Sequence, residues 1–299
     1  QCNGFRADMA AAERVVELML PSDPTTATQR QAHAMVFIAA PGPGLTDAQA
    51  AEQILRRFME RAYRRLPTDT DIERGLVQFQ TARNTGRPFT ESIKVVLQAV
   101  LVSPKFLLRI EESHDTNEPY PIENWELASR LSYFLWASMP DAELRQDAAN
   151  GTLSDPSVLN EQVDRMLNDR KMIRFCDSFP GQWLQLDRLI SSIPDRQRFP
   201  YFYFQSAYRS SMHMMLEPLL LFETVYLEDR SVMDLLAPDF SWQSNVLQNA
   251  YLGKVSGRGV QVLTFKRIPL TDPRWGGVVT NAAVMTMTSS PLRTKPITR

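Results

Sequence analysis

A chain of 299 residues, 43% of them hydrophobic and 22% charged, has the composition of a folded globular protein, which excludes global disorder and fibrous repeats. With 33 Lys and Arg against 34 Asp and Glu the formal charge is −1, so no net field collects a polyanion and nucleic acid is not an expected partner. The longest apolar run, over 212–226, is interrupted by Glu217, Pro218 and Glu223 and falls short of the roughly 20 residues that span a bilayer.

The first helix is predicted over 8–20, with Ala11, Val15, Leu18 and Met19 recurring at helical intervals and Pro21 ending it. Its start has no basic region followed by an apolar stretch, so an export signal is expected to have been removed or to lie upstream. Residues up to 45 read mostly as linker. Thr46 and Gln49 form a capping-box pattern that opens a helix over 47–65, and Thr68 with Asp71 opens another over 69–81. A third apolar segment over 91–102 carries Ile93, Val96, Leu97, Val100 and Leu101 on one face, and Ser103-Pro104 caps one more turn.

The polar stretch 111–121 reads as an exposed connection. Beyond it a helix is predicted over 123–136, with Leu127, Leu131, Phe134 and Leu135 inward and Glu126 paired to Arg130 one turn on. Asp141 is expected to serve as the capping partner of Ser138, and Asp155-Pro156 and Asp169 begin two further helices. Pro180-Gly181 is expected to kink or break the second of these. A long helix over about 202–228 follows. After Asp239 the pattern becomes irregular, with room for a short strand pair. The expected fold is mainly α: two helical bundle modules over 46–112 and 120–238, after an N-terminal helix and linker over 1–45. An irregular segment over 239–299 reads as an incomplete third module.

Three sets of motifs carry a resemblance. The first is FMERAYRR over 58–65 with LVSPKFLLR over 101–109. The second is ELASRLSYFLW over 126–136, SMPD over 138–141, GQWL over 181–184 and Asp195 before Phe199-Pro200. The third is GGVVT over 276–280 with the stretch from Thr288 to Arg299. Together they resemble secreted proteins of planctomycetes and some proteobacteria in which domains of unknown function accompany planctomycete-type cytochrome c domains. Leu66-Pro67 inverts the usual order there, and residues 242–253 match loosely. Relatives continue into another helical module, so the resemblance implies a C-terminal remainder of the same precursor or a separately encoded subunit.

The resemblance implies periplasmic, cell-surface or extracellular redox chemistry. No Cys-x-x-Cys-His sequence is present, so no haem is expected to be covalently bound here, and any haem belongs to a missing segment or a partner such as a c-type cytochrome. Cys2 and Cys176 are too few for a disulfide framework; a single bridge and a pair of free thiols are both open.

No catalytic residue is assigned, and no metal site is expected. His33, His114 and His213 lack the spacing of a metal pair. Met212 to Met215 offer soft ligands for copper or haem around His213, yet Met212 and Met215 share a helical face with Leu216 and Leu219, which favours packing. Glu217 and Glu223, acids inside an apolar helix, could be buried acids of raised proton affinity, but pairing with an arginine from a neighbouring helix is the favoured reading. Arg109, Arg130 and Arg165 are expected to meet carboxylates rather than a bound anion. Trp125, Tyr133, Phe134, Trp136, Phe179 and Trp183 are assigned to the core, with a ligand pocket as the other reading. Tyr201, Phe202, Tyr203 and Phe204 point in all directions around a helix, so at least one is expected to face another module or subunit. Thr288, Ser289 and Ser290 have no base nearby in sequence and read as an ordered loop.

Two functional readings follow. One is a helical subunit of a cytochrome-associated redox complex that houses or docks a redox partner. The other is a non-catalytic structural or interaction subunit of an extracellular assembly.

Overall fold

The computed structural model describes residues 2–111, 118–191, 197, 210–252, 263–271 and 276–288; of residues 2–5 and 210 only the backbone is described. The fold is mainly α-helical, with one two-stranded antiparallel sheet among the described residues. Among the described residues no helix is long and apolar enough to cross a membrane. Two compact units are present, one of residues 1–133 with 138–163, the other of 134–137 with 164–299.

The first unit is built from α1 (Cys2–Met19), α2 (Ala27–Val36), α3 (Asp47–Tyr63), α4 (Asp69–Asn84), α5 (Phe89–Leu101) and α6 (Pro104–Leu107), followed by most of α7 (Asn124–Trp136), α8 (Ala142–Asn150) and much of α9 (Pro156–Leu167). Both expected capping boxes form: Thr46 Oγ1 accepts from Gln49 N and Gln49 Oε1 from Thr46 N, and Thr68 and Asp71 do the same for α4. Val16 and Leu20 join Ile54, Leu55, Ile72, Phe79, Ile93 and Leu97 in one core. Gly75 lets α4 approach closely, since a Cβ there would lie 3.0 Å from the Leu55 and Met59 side chains.

Arg64 closes α3 in the left-handed conformation (φ 59°), which a non-glycine residue seldom adopts without compensation. The compensation is visible: its buried guanidinium donates to the carbonyls of Lys105, Phe106 and Leu108, and Arg65 donates to that of Ile110. The AYRR and SPKFLLR motifs are thereby two halves of one lock, in which arginine forks satisfy carbonyls at and beyond the end of α6.

Several expectations for this unit are corrected. The buried face of α1 is Ala12, Val16 and Leu20, leaving Ala11, Val15, Leu18 and Met19 exposed. The period was legible, but its phase is set by what the helix packs against. The expected linker contains α2, opened by a capping box of Thr26 and Gln29. Arg130 forms a two-pronged pair with Glu111, while Glu126 is buried and lies 3.8 Å from Arg65. Asp141 is itself the cap of α8, accepting from Leu144 N at 3.0 Å, whereas the Ser138 carbonyl accepts from Ser132 Oγ. Arg109 lies over the Tyr133 ring and, behind Arg130, helps to hold the Glu111 carboxyl below its ordinary value.

The second unit contains α10 (Ile173–Trp183), α11 (Arg188–Ser191), α12 (Ser210–Leu227), β1 (Phe240–Gln243), α13 (Asn245–Tyr251), β2 (Lys266–Pro269), α14 (Gly277–Thr280) and α15 (Ala282–Thr288). β1 and β2 pair antiparallel from Phe240 opposite Pro269 to Gln243 opposite Lys266, so the expected strand pair forms. The segment expected to be irregular holds three further helices. Their seven or fewer residues are too short for periodicity to reveal. α10 runs through Pro180 to end at Trp183, so the expected break does not occur there. Trp136 is fully buried as expected, donating from Nε1 to the Met166 carbonyl at 3.1 Å, with Arg165 and Lys171 over its ring. Phe134, Phe179 and Trp183 are instead the exposed edge of an aromatic stack around Phe175. Cys176 is a free, buried thiol that burial pushes up to about 11, which leaves it little thiolate character.

Candidate functional site

α12 is a largely apolar helix, yet four of its buried residues are polar: Ser211, His213, Glu217 and Thr224. His213, Glu217 and Thr224 follow one another at helical intervals of four and seven residues, which aligns them in a stripe. The strand β1 and the residue after it meet this stripe position by position. Trp242 Nε1 donates to Thr224 Oγ1 at 2.8 Å, Ser241 Oγ to Glu217 Oε1 at 2.7 Å, and Ser244 Oγ lies 2.8 Å from His213 Nδ1. Ser244 also caps α13 by accepting from Leu247 N, so one hydroxyl orients the imidazole and begins the helix that ends in Tyr251.

Glu217 is the centre of the arrangement. Its Oε2 accepts from the Tyr251 hydroxyl at 2.6 Å and from Ala282 N at 3.3 Å, and the Tyr251 oxygen in turn accepts from Ala282 N at 2.8 Å. The residue before Ala282, Asn281, caps α15 through Val284 N. The acid is therefore held by a strand, the end of one helix and the start of another. Beside it opens a cavity of about 340 Å³ whose polar lining includes Ser241, Gln243, Gln248 and Thr280, with Leu252 and Leu270 as its apolar part. Gly277 forms part of the adjoining turn for a steric reason: at φ 72° a Cβ would lie 2.2 Å from the Leu236 carbonyl oxygen.

Burial pushes the Glu217 carboxyl above the usual carboxylate range, opposed by the hydrogen bonds from Tyr251, Ser241 and Ala282. Burial and the adjacent Glu217 push the Tyr251 hydroxyl upward too, so it stays a proton donor. His213 is fully buried, lies with its ring on Phe265, and is pushed down by burial, favouring the neutral imidazole. Among the described residues its buried Nε2 has no hydrogen-bond partner. The site thus combines an acid biased toward its protonated form with hydroxyl and amide groups able to donate or accept, a set suited to a neutral hydrogen-bonding molecule.

A pH dependence follows from Glu217. Because its folded value is raised, its contribution to stability is present below the ordinary glutamate value of about 4.3 and is lost as pH rises through the raised value. The difference in unfolding free energy between the native chain and Glu217→Gln is expected to fall as pH increases above about 4.3, measured by urea unfolding at a series of pH values. A flat or rising difference refutes the assignment.

The expected arginine partners of Glu217 and Glu223 are not found. Glu217 is held by hydroxyls and an amide, and Glu223 has no ion pair among the described residues, with burial and Asp177 raising its carboxyl. Met212 is exposed, while Met214 packs in the core with Met215 against it. His33 is bound to the Pro21 carbonyl. Thr288 bonds its own helix through the Val284 carbonyl. His114, Asp195, Tyr201, Phe202, Tyr203, Phe204, Ser289 and Ser290 lie outside the described residues. The sequence singled out His213 and Glu217 inside an apolar helix; their register with Thr224 was a signal available but not used, and Ser241, Ser244 and Tyr251 carried none.

Residues 122–252 match the family model PSD4, described as a protein of unknown function (DUF1592), and residues 50–111 match PSD5, a protein of unknown function (DUF1595). Both are domains of unknown function associated with planctomycete cytochrome c domains. The first match contains Glu217, His213, Ser241, Ser244 and Tyr251. No curated protein and no solved structure shows significant similarity to the chain.

Proposed function

We propose that this chain is the helical body of a secreted, cytochrome-associated redox assembly at the periplasm or cell surface, and that it houses a small neutral hydrogen-bonding molecule in the Glu217 cavity. The haem of such an assembly sits on another segment or on a partner c-type cytochrome. The observation that carries the housing role is Glu217 itself: a buried acid held by two hydroxyls and a backbone amide, at the wall of a 340 Å³ cavity. An acid of raised proton affinity costs stability at neutral pH, and such a cost is commonly retained where a proton or a ligand must be handled. The association of both matched domains with cytochrome c domains supports the redox setting.

The complex isolated through this chain is expected to show a haem signature in reduced-minus-oxidised visible spectra. Absence of haem and of every other redox cofactor from the intact complex removes the redox reading. A structural or interaction subunit is the second reading, favoured by the exposed aromatic edge of Phe134, Phe179 and Trp183.

A further inference from the structure

The solvent face of α3 carries a concentration of positive charge that its surroundings compensate only in part. Gln53, Arg57 and Arg61 recur every four residues, and Arg56 and Glu60 form the adjacent row, while Ile54, Leu55 and Met59 fill the core on the other side. Arg145 of α8 reaches the same place, and a groove of about 510 Å³ lies between these side chains. Four guanidinium groups and one carboxylate, that of Glu60, thus line the groove.

Two of the four guanidinium groups, those of Arg56 and Arg145, have partners. Arg56 is engaged by Glu52 at 2.8 Å and by Asp69 at 3.4 Å. Arg145 spends one nitrogen on the Pro140 carbonyl at 2.7 Å; its Nε is buried, lies 3.6 Å from Glu60 and makes no hydrogen bond. Among the described residues Arg57 and Arg61 have neither an ion pair nor a hydrogen bond. Burial first, and then the neighbouring Arg145 and Arg57, lower the proton affinity of Arg61, with Glu60 opposing them. Like charges four residues apart also destabilise a helix. A solvated charged face would show extended side chains with local acid partners; here one guanidinium is part-buried among its own kind and another has an orphaned donor.

We propose that this groove binds a small multivalent oxyanion, bearing carboxylate, sulfate or phosphate groups, through Arg57, Arg61 and Arg145. Planar guanidinium forks match such groups in pairs, and the buried Arg145 Nε makes no hydrogen bond among the described residues, its contact with Glu60 being an ion pair at 3.6 Å. Glu60 acts as an internal competitor for the same nitrogens. The groove is separate from the Glu217 cavity and stands or falls independently of it.

Isothermal titration of the full chain with pyrophosphate and with citrate, at constant ionic strength set by chloride, tests the proposal. Binding of at least one of them is expected, weakened tenfold or more in Arg57→Gln/Arg61→Gln and strengthened severalfold in Glu60→Gln. Circular dichroism verifies that the variants fold, and the surface change Arg57→Gln alone serves if the double variant does not. The proposal is overturned if neither anion binds the native chain, or if the affinity is the same in the arginine variants.

Discussion

Replacing Glu217 by alanine is expected to lower the unfolding free energy by about 2–4 kcal/mol at pH 4, below the ordinary glutamate value of about 4.3, where the contribution of the acid is present. The change removes the acceptor of Ser241 Oγ, Tyr251 OH and Ala282 N together, and each buried group left unpaired costs roughly 1–3 kcal/mol. Two effects keep the sum below that ceiling. The Tyr251 oxygen still accepts from Ala282 N, and the adjoining cavity admits water to the orphaned hydroxyls. Glu217→Gln keeps the shape and most of the bonding, so its cost at this pH is expected to stay under about 1 kcal/mol. Urea midpoints with unchanged slopes measure both. An alanine variant within about 0.5 kcal/mol of the native chain contradicts a structural role for the network.

The larger effect is expected at Trp136, where alanine is predicted to cost about 3–5 kcal/mol. The side chain has no exposed surface, its indole nitrogen donates to the Met166 carbonyl, and Lys171 Nζ lies 3.8 Å from the ring centre. Removing it empties a large volume, uncovers the lysine and takes one donor from a carbonyl near the end of α9. Trp136→Phe separates these contributions. It refills most of the space, and the Met166 carbonyl still accepts from Asp169 N, so a residual cost of about 1 kcal/mol is expected. Equal losses for the two variants point to the indole hydrogen bond, and negligible loss for alanine contradicts the packing argument. Neither residue lies in the arginine groove, so anion titration of the same variants is expected to be unchanged.

Much of the helical framework was legible because the signals are local. The Thr46 and Thr68 boxes place donors and acceptors three residues apart, and that geometry exists before any tertiary contact. The apolar rows of α3 and α5 are equally self-evident, since Ile93, Val96, Leu97 and Val100 lie on one face whatever they touch. α1 shows the limit. Its sequence tolerates more than one apolar face, and burial of Val16 and Leu20 in preference to Val15 and Leu18 depends on how it meets the rest of its core. Short helices such as α13, α14 and α15 have too few residues to show a period, and they are held by partners distant in sequence.

The same division runs through the site. The sequence by itself determined that α12 would be an apolar helix carrying an acid at 217 and a histidine at 213, and that this acid would be costly to bury. The tertiary structure alone decided what answers it. An arginine from a neighbouring helix was the economical expectation, yet Ser241, Tyr251 and the Ala282 amide converge on the carboxylate from 24, 34 and 65 residues away. Hydroxyls bond an acid without supplying a counter-charge, so burial still raises its proton affinity, whereas an arginine would have held it ionised. The arginines of α3 have the converse history. Their positions on one face follow from helical periodicity, but the arrival of Arg145 and the scarcity of acids around them depend on how α8 packs, because charge compensation is a property of neighbours in space and not of neighbours in sequence.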